Sequence, residues 1–112
     1  MELYNYNAEI IKVIDGDTIK AKIDLGFYMT WETNIRFYGI NSDELKSEDP
    51  ILKESAQKAK AYLETILKPG DKVKISSRNL DKYKRPIATI YKDGLNVNEQ
   101  MIVNKHAKPY MI

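Results

Sequence analysis

The sequence predicts a mainly β fold with helices: five short strands, one helix between the third and fourth, and a short helix near the C-terminal end. Two observations carry this. Residues 18–25 alternate strictly, with Ile19, Ala21, Ile23 and Leu25 on one face and Thr18, Lys20, Lys22 and Asp24 on the other, the pattern of a half-buried strand. Residues 51–67 instead carry apolar side chains at three- and four-residue steps, the pattern of a helix face. The 112 residues fit one domain, taken as 1–112 with a core from about residue 9 to 108.

The elements follow in order. Residues 9–14 (Glu-Ile-Ile-Lys-Val-Ile) read as the first strand, and Asp15-Gly16 stands where a hairpin turn is expected before the second. Gly26 breaks the second strand, and residues 31–40 read as a third, rich in β-branched and aromatic side chains. Asp49-Pro50 supplies an N-cap and a first-turn proline, and Ile51, Leu52, Ala56, Ala59, Tyr62, Leu63, Ile66 and Leu67 mark the helix face. Pro69-Gly70 stops it. Val73 and Ile75 mark the fourth strand and residues 87–91 the fifth, ended by Asp93-Gly94. Residues 97–104 form the second helix, with Met101 and Ile102 facing inward. This is the organisation of the five-stranded OB-type barrel.

Composition excludes several chemistries. There is no cysteine, so neither a disulfide nor a zinc–thiolate site is possible, and one histidine, His106, is too few for a histidine zinc site. Any metal would be held by oxygen. No stretch approaches the ~20 apolar residues of a membrane span. The N-terminus has neither the basic head nor the apolar run of a signal peptide. If residue 1 is the natural start, the chain is made inside a cell or from a phage genome; a trimmed chain would be compatible with secretion. A monomer is expected. Net charge is only +2, but residues 71–85 hold six basic side chains (Lys72, Lys74, Arg78, Lys82, Lys84, Arg85) against Asp71 and Asp81. Such a stripe is either a solvated strand and turn or the footprint of a polyanion.

Three motifs and one arginine stand out, each with a plain alternative. In Asp15-Gly16-Asp17-Thr18, Asp-Gly is a common hairpin turn, yet Asp17 is placed to aim a carboxylate at a cation. An EF-hand is excluded, because the twelfth position from Asp15 is Gly26. Asn41-Ser42-Asp43-Glu44 is either a polar loop before the helix or a set of oxygen ligands and a base. Arg36 faces away from Ile35 and Phe37 by alternation, so it is solvent-facing, in a cross-strand ion pair, or forked onto a phosphate. Lys82-Tyr83-Lys84-Arg85 is an ordinary turn or a pairing of cations and an aromatic ring suited to a nucleic-acid backbone and an unstacked base. Together these supply hard oxygen donors, a candidate base and two guanidiniums, the parts that hydrolysis of a phosphodiester requires.

Order and spacing of these motifs resemble the staphylococcal (micrococcal) nuclease family. The matching residues are 13–20 (Val-Ile-Asp-Gly-Asp-Thr-Ile-Lys), 35–44 (Ile-Arg-Phe-Tyr-Gly-Ile-Asn-Ser-Asp-Glu), 81–86, 90–94 and Val97-Asn98-Glu99, so the likeness covers about residues 9–108. The resemblance implies an OB-type barrel and Ca²⁺-dependent hydrolysis of DNA and RNA, especially single-stranded, leaving 3′-phosphate ends. By the same resemblance Asp17 is the main carboxylate ligand, with Asn41 at a second ligand position and Ser42 lending its backbone carbonyl. Asp15 supports the metal from behind. Glu44 positions and deprotonates the attacking water, and Arg36 and Arg85 stabilise phosphate charge. Lys82 and Tyr83 contact a terminal phosphate, and Tyr110 is a candidate for stacking on a base.

Three departures qualify the expectation. Asn41 stands where the family has an aspartate, which implies weaker Ca²⁺ binding. Asp43 replaces a proline, and Lys84 replaces a glycine beside Arg85. The alternative is therefore a nucleic-acid- or protein-binding module that kept the barrel and lost efficient catalysis.

Overall fold

The computed structural model describes residues 4–110, without the side chain of Arg78. The long strand β1 (Tyr4–Asp15) is the spine of the sheet. It pairs antiparallel with β2 (Thr18–Gly26) over residues 7–15 and with β5 (Lys72–Leu80) over residues 4–9. β3 (Met29–Phe37) continues from β2, and β6 (Pro86–Lys92) returns along β5. A short parallel pairing, Arg36 with Ile87 and Phe37 with Ala88, joins β3 to β6 and brings five strands into a near-closed ring. The OB-type arrangement expected from the sequence is the one observed.

Inward-facing Ile10, Ile19, Ile35, Phe37, Ile75 and Ile90 fill the ring. Helix α1 (Pro50–Ile66) lies between the third and fourth ring strands in sequence and closes one end with Ala59 and Leu63. Its start follows the expected chemistry, since Asp49 Oδ1 accepts from Ile51 N at 2.9 Å. Ile51 and Leu52, marked from the sequence as part of the helix face, are exposed; the buried face consists of Ala56, Ala59 and Leu63. The other end of the helix is tied down by Lys92 Nζ, which donates to Ile66 O at 2.7 Å and pairs with Asp71 Oδ2 at 2.6 Å. Helix α2 (Val97–Val103) packs Met101 into the core.

Four details differ from the expectation. β1 begins earlier than residue 9, its first residues held by β5 rather than by a buried alternation. Asp15 pairs with Thr18, so the turn residues are Gly16-Asp17 and not Asp15-Gly16. The third strand ends at Phe37, because Gly39 turns the chain at φ +77°. The chain then forms β4 (Ile40–Asn41), which pairs with β8 (Lys108–Pro109). The two-residue strands β4, β7 (Leu95–Asn96) and β8 are too short to leave a pattern. His106, which belongs to none of the motifs, stacks its ring on Tyr62 at 4.6 Å and so helps fasten the end of α2 to α1.

Candidate active site

The β1–β2 turn presses on α1 and the loop after β4. A Cβ on Gly16 would lie 2.7 Å from Ala59 Cβ and 2.9 Å from Ser42 Cβ and Oγ. Glycine is required there for close approach, since its backbone is not in the left-handed region. This contact holds Asp17 against Ser42: Ser42 N donates to Asp17 Oδ2 at 3.0 Å. Ser42 Oγ is buried and finds no hydrogen-bond partner.

Asp17 collects further donors. Thr18 Oγ1 donates to its Oδ1 at 3.0 Å, and Arg36 Nη1 lies 3.1 Å from its Oδ2. Arg36 reaches it because β2 and β3 set Thr18 opposite Arg36. The same guanidinium donates through Nη2 to Asn41 Oδ1 at 3.2 Å and through Nη1 to Phe37 O at 3.3 Å. Arg36 therefore bridges the two oxygens named as side-chain metal ligands. Arg36 does form an ion pair, but with a residue of the β1–β2 turn rather than of a facing strand, and it lies inside the candidate site.

Asp15 stands behind Asp17, its Oδ1 accepting from Asp17 N at 3.0 Å. Burial, reinforced by the neighbouring Asp17 carboxyl, pushes Asp15 up to about 7. Burial also opposes ionisation of Asp17. The bonds from Asp15 and Ser42 N, the Arg36 charge and Thr18 outweigh it and hold Asp17 below the usual carboxylate range. As pH rises, Asp17 therefore gives up its proton before Asp15 does. The Asp17 carboxylate is paired with the Arg36 guanidinium, and the Asn41 amide oxygen adds a neutral donor beside it. All the donors are hard oxygens, which fits a cation such as Ca²⁺ completed by water. The set is poor in carboxylates: among the described residues no three His, Asp or Glu side chains gather into a ligand cluster.

A second cluster forms the β5–β6 turn. Asp81 Oδ1 accepts from Tyr83 N at 2.8 Å and from Arg85 N at 2.9 Å, and Oδ2 accepts from Arg85 Nε at 2.7 Å. Burial would raise Asp81, but these bonds from Arg85 and Tyr83 leave it lower than an ordinary aspartate. Lys82 Nζ and the Arg85 guanidinium lie 5.1 and 5.5 Å from the centre of the exposed Tyr83 ring. Lys84 takes φ +64°, the left-handed conformation that a glycine adopts without strain. Arg85 stands two residues ahead of Ile87, the β6 partner of Arg36, so the strand pairing brings the two arginines to neighbouring positions.

Asp15, Asp17, Arg36, Asn41 and Ser42 thus form one bonded group, and Lys82, Tyr83 and Arg85 another. Glu44 is exposed in the loop before α1, its carbonyl accepting from Ser47 N at 3.1 Å. Tyr110 is half exposed and donates its backbone N–H to Gly39 O at 2.8 Å, which fastens β8 beside the Asn41 strand. A broad groove of about 1160 Å³ lies elsewhere, on the outer sheet face near Lys22, Lys72 and Tyr91, and none of these site residues lines it.

Three supporting residues lie in motifs quoted from the sequence, which assigned them no role. Thr18 holds Asp17, and Asp81 holds Arg85; a carboxylate four residues before an arginine across a turn was the available signal for the latter. Buried Asn98 accepts from Ile90 N at 3.0 Å and donates to Tyr38 O at 2.9 Å and Ala88 O at 3.1 Å, which ties α2 to β6 and to the end of β3.

A family model described as Staphylococcal nuclease homologue matches residues 34–112. Endonuclease YhcR of Bacillus subtilis (strain 168) is 34% identical over 115 residues, an alignment that covers 96% of this chain and 9% of that protein. The chain spans under a tenth of the length of that relative. No helix among the described residues is long and apolar enough to cross a membrane. With the family model matching well over half of its residues, the chain belongs to the staphylococcal nuclease homologue family.

Proposed function

We propose that this chain is a Ca²⁺-dependent nuclease that hydrolyses phosphodiester bonds of DNA and RNA, prefers unpaired strands and leaves 3′-phosphate ends. The observation that carries the reading is the convergence of Arg36 on Asp17 Oδ2 and Asn41 Oδ1, with Ser42 N locked to the same carboxylate. Asp17, the side-chain carbonyl of Asn41 and the backbone carbonyl of Ser42 would hold the cation, with Asp15 behind them. When bound, it supplies charge neutralisation to a phosphate oxygen.

The chain's own residues do the rest. Arg36 and Arg85 donate to phosphate oxygens, where negative charge grows as water adds. Glu44 holds that water and accepts its proton. The new O–P bond forms as the bond from phosphorus to the 5′-oxygen breaks, and the departing 5′-oxygen takes a proton from solvent. Lys82 and Tyr83 hold the phosphate that is terminal in a short bound nucleotide and internal in a longer strand, and Tyr110 stacks on a base. Cleavage of end-labelled single-stranded DNA and RNA with Ca²⁺ or with EGTA tests this. Calcium-dependent fragments with 3′-phosphate ends are expected; 5′-phosphate ends or cleavage indifferent to EGTA would refute it.

A second reading has one observation in its favour. Arg36 already neutralises Asp17 and satisfies Asn41, as a barrel retained only for binding would arrange. Retained binding of single strands without cleavage at any Ca²⁺ concentration would decide for it.

A further inference from the structure

Helix α1 closes the barrel end near Gly16; the opposite end is lined, among the described residues, by strand residues alone. There a cavity of about 250 Å³ opens, walled chiefly by Tyr4, Tyr6, Leu25, Trp31, Leu80 and Pro86. Trp31 is 38% exposed, Tyr4 57% and Leu80 48%. The cavity is too small for a large ligand and suits one flat ring system. It is also continuous with the turn that carries Arg85. Pro86 follows Arg85 directly and pairs with Leu80, so the two ends of the turn form one wall of the cavity. Above that wall stand Lys82, Lys84 and Arg85, cations that attract a phosphate backbone.

We infer that this mouth is a stacking subsite for one unpaired nucleobase of a strand that runs from the catalytic groove across the 81–85 turn. The inference rests on the nuclease reading and extends it to where the strand continues. The turn's cations carry the backbone, and the mouth's aromatic rings take a base irrespective of its identity. The subsite favours substrates longer than the few nucleotides at the reacting phosphate, and it excludes duplex, whose bases are already stacked.

Trp31 is the one tryptophan in the chain, so its emission reports on the mouth directly. The Glu44→Gln chain is titrated in Ca²⁺ with thymidine oligonucleotides two and eight residues long, and with an eight-residue strand of abasic spacers. A labelled end gives binding by anisotropy in parallel. The eight-residue strand is expected to quench Trp31, while the dinucleotide and the abasic strand leave it unchanged. Trp31→Leu, which keeps apolar bulk, is expected to weaken binding of the long strand on the order of tenfold. Binding by anisotropy with unaltered Trp31 emission would overturn the subsite and leave the nuclease reading standing. No binding of any strand would overturn both. A chain that sediments as a dimer with Trp31 buried would assign the mouth to a second copy instead.

Discussion

Arg36 Nη2 donates to Asn41 Oδ1 at 3.2 Å while Nη1 of the same guanidinium lies 3.1 Å from Asp17 Oδ2. The arginine thereby spans the two side chains on which a cation would rest. A neutral amide at position 41 gives a bound cation less charge than a carboxylate would, and Ca²⁺ affinity follows ligand charge. Asn41→Asp is expected to lower the Ca²⁺ concentration for half-maximal cleavage by roughly tenfold. A calcium titration of the cleavage rate checks this, and an unchanged midpoint would remove Asn41 from the ligand set.

Gly16 has no room for a methyl group. Gly16→Ala must push Ala59 or Ser42 aside, both of which offer atoms with little freedom, and is expected to cost about 1–3 kcal/mol. Because Ser42 N holds Asp17, activity should fall as well. Denaturant unfolding gives the stability change; a variant as stable as the parent would show that the turn and helix do not press on each other.

Lys84 occupies a left-handed position without the freedom of glycine. Lys84→Gly is expected to stabilise the chain by roughly 1 kcal/mol, since relief of backbone strain exceeds the added entropy of the unfolded chain. Thermal unfolding measures it. A loss of stability would place the lysine side chain in a contact worth more than the strain.

The Asp81 carboxyl is held below its unfolded value, so its contribution to stability is present above the ordinary aspartate range and is lost as pH falls through the folded value. Acid should therefore loosen the 81–85 turn before the barrel opens. The Tyr83 and Arg85 backbone amides are the reporters, since both donate to Asp81. Their NMR shifts should titrate together in acid, and Asp81→Asn should abolish that titration. Persistence of the titration in the variant would assign it to another group.

The barrel was legible where burial repeats with a fixed period. Ile19, Ala21 and Ile23 and the helical stripe through Ala59 and Leu63 each match a buried face, but the alternation fails at both ends of its strand: Leu25 is exposed, and Thr18 is buried beside Asp17. What pattern could not show is contact between distant segments. Gly16 reads as a turn glycine, and only the approach of α1 shows that it makes room for Ala59 and Ser42. Asn98 reads as a polar residue in a short helix, and only the fold brings Tyr38 O and Ala88 O to it. The break after Phe37 and the β4–β8 pair escaped for a related reason: two-residue strands are held by partners remote in sequence. The candidate site residues stood out in the sequence as short motifs of carboxylates, amides and cations. Their mutual geometry, with Arg36 between Asp17 and Asn41, was not legible.

Hydrolysis of heat-denatured DNA with and without millimolar Ca²⁺, by the parent chain and by Glu44→Gln, tests the central claim most directly. Calcium-dependent cleavage is expected from the parent, with a loss of at least about a hundredfold in the variant, the scale of a general base. A parent chain that cleaves nothing at any Ca²⁺ concentration, or a variant that cleaves as fast as the parent, would contradict the account.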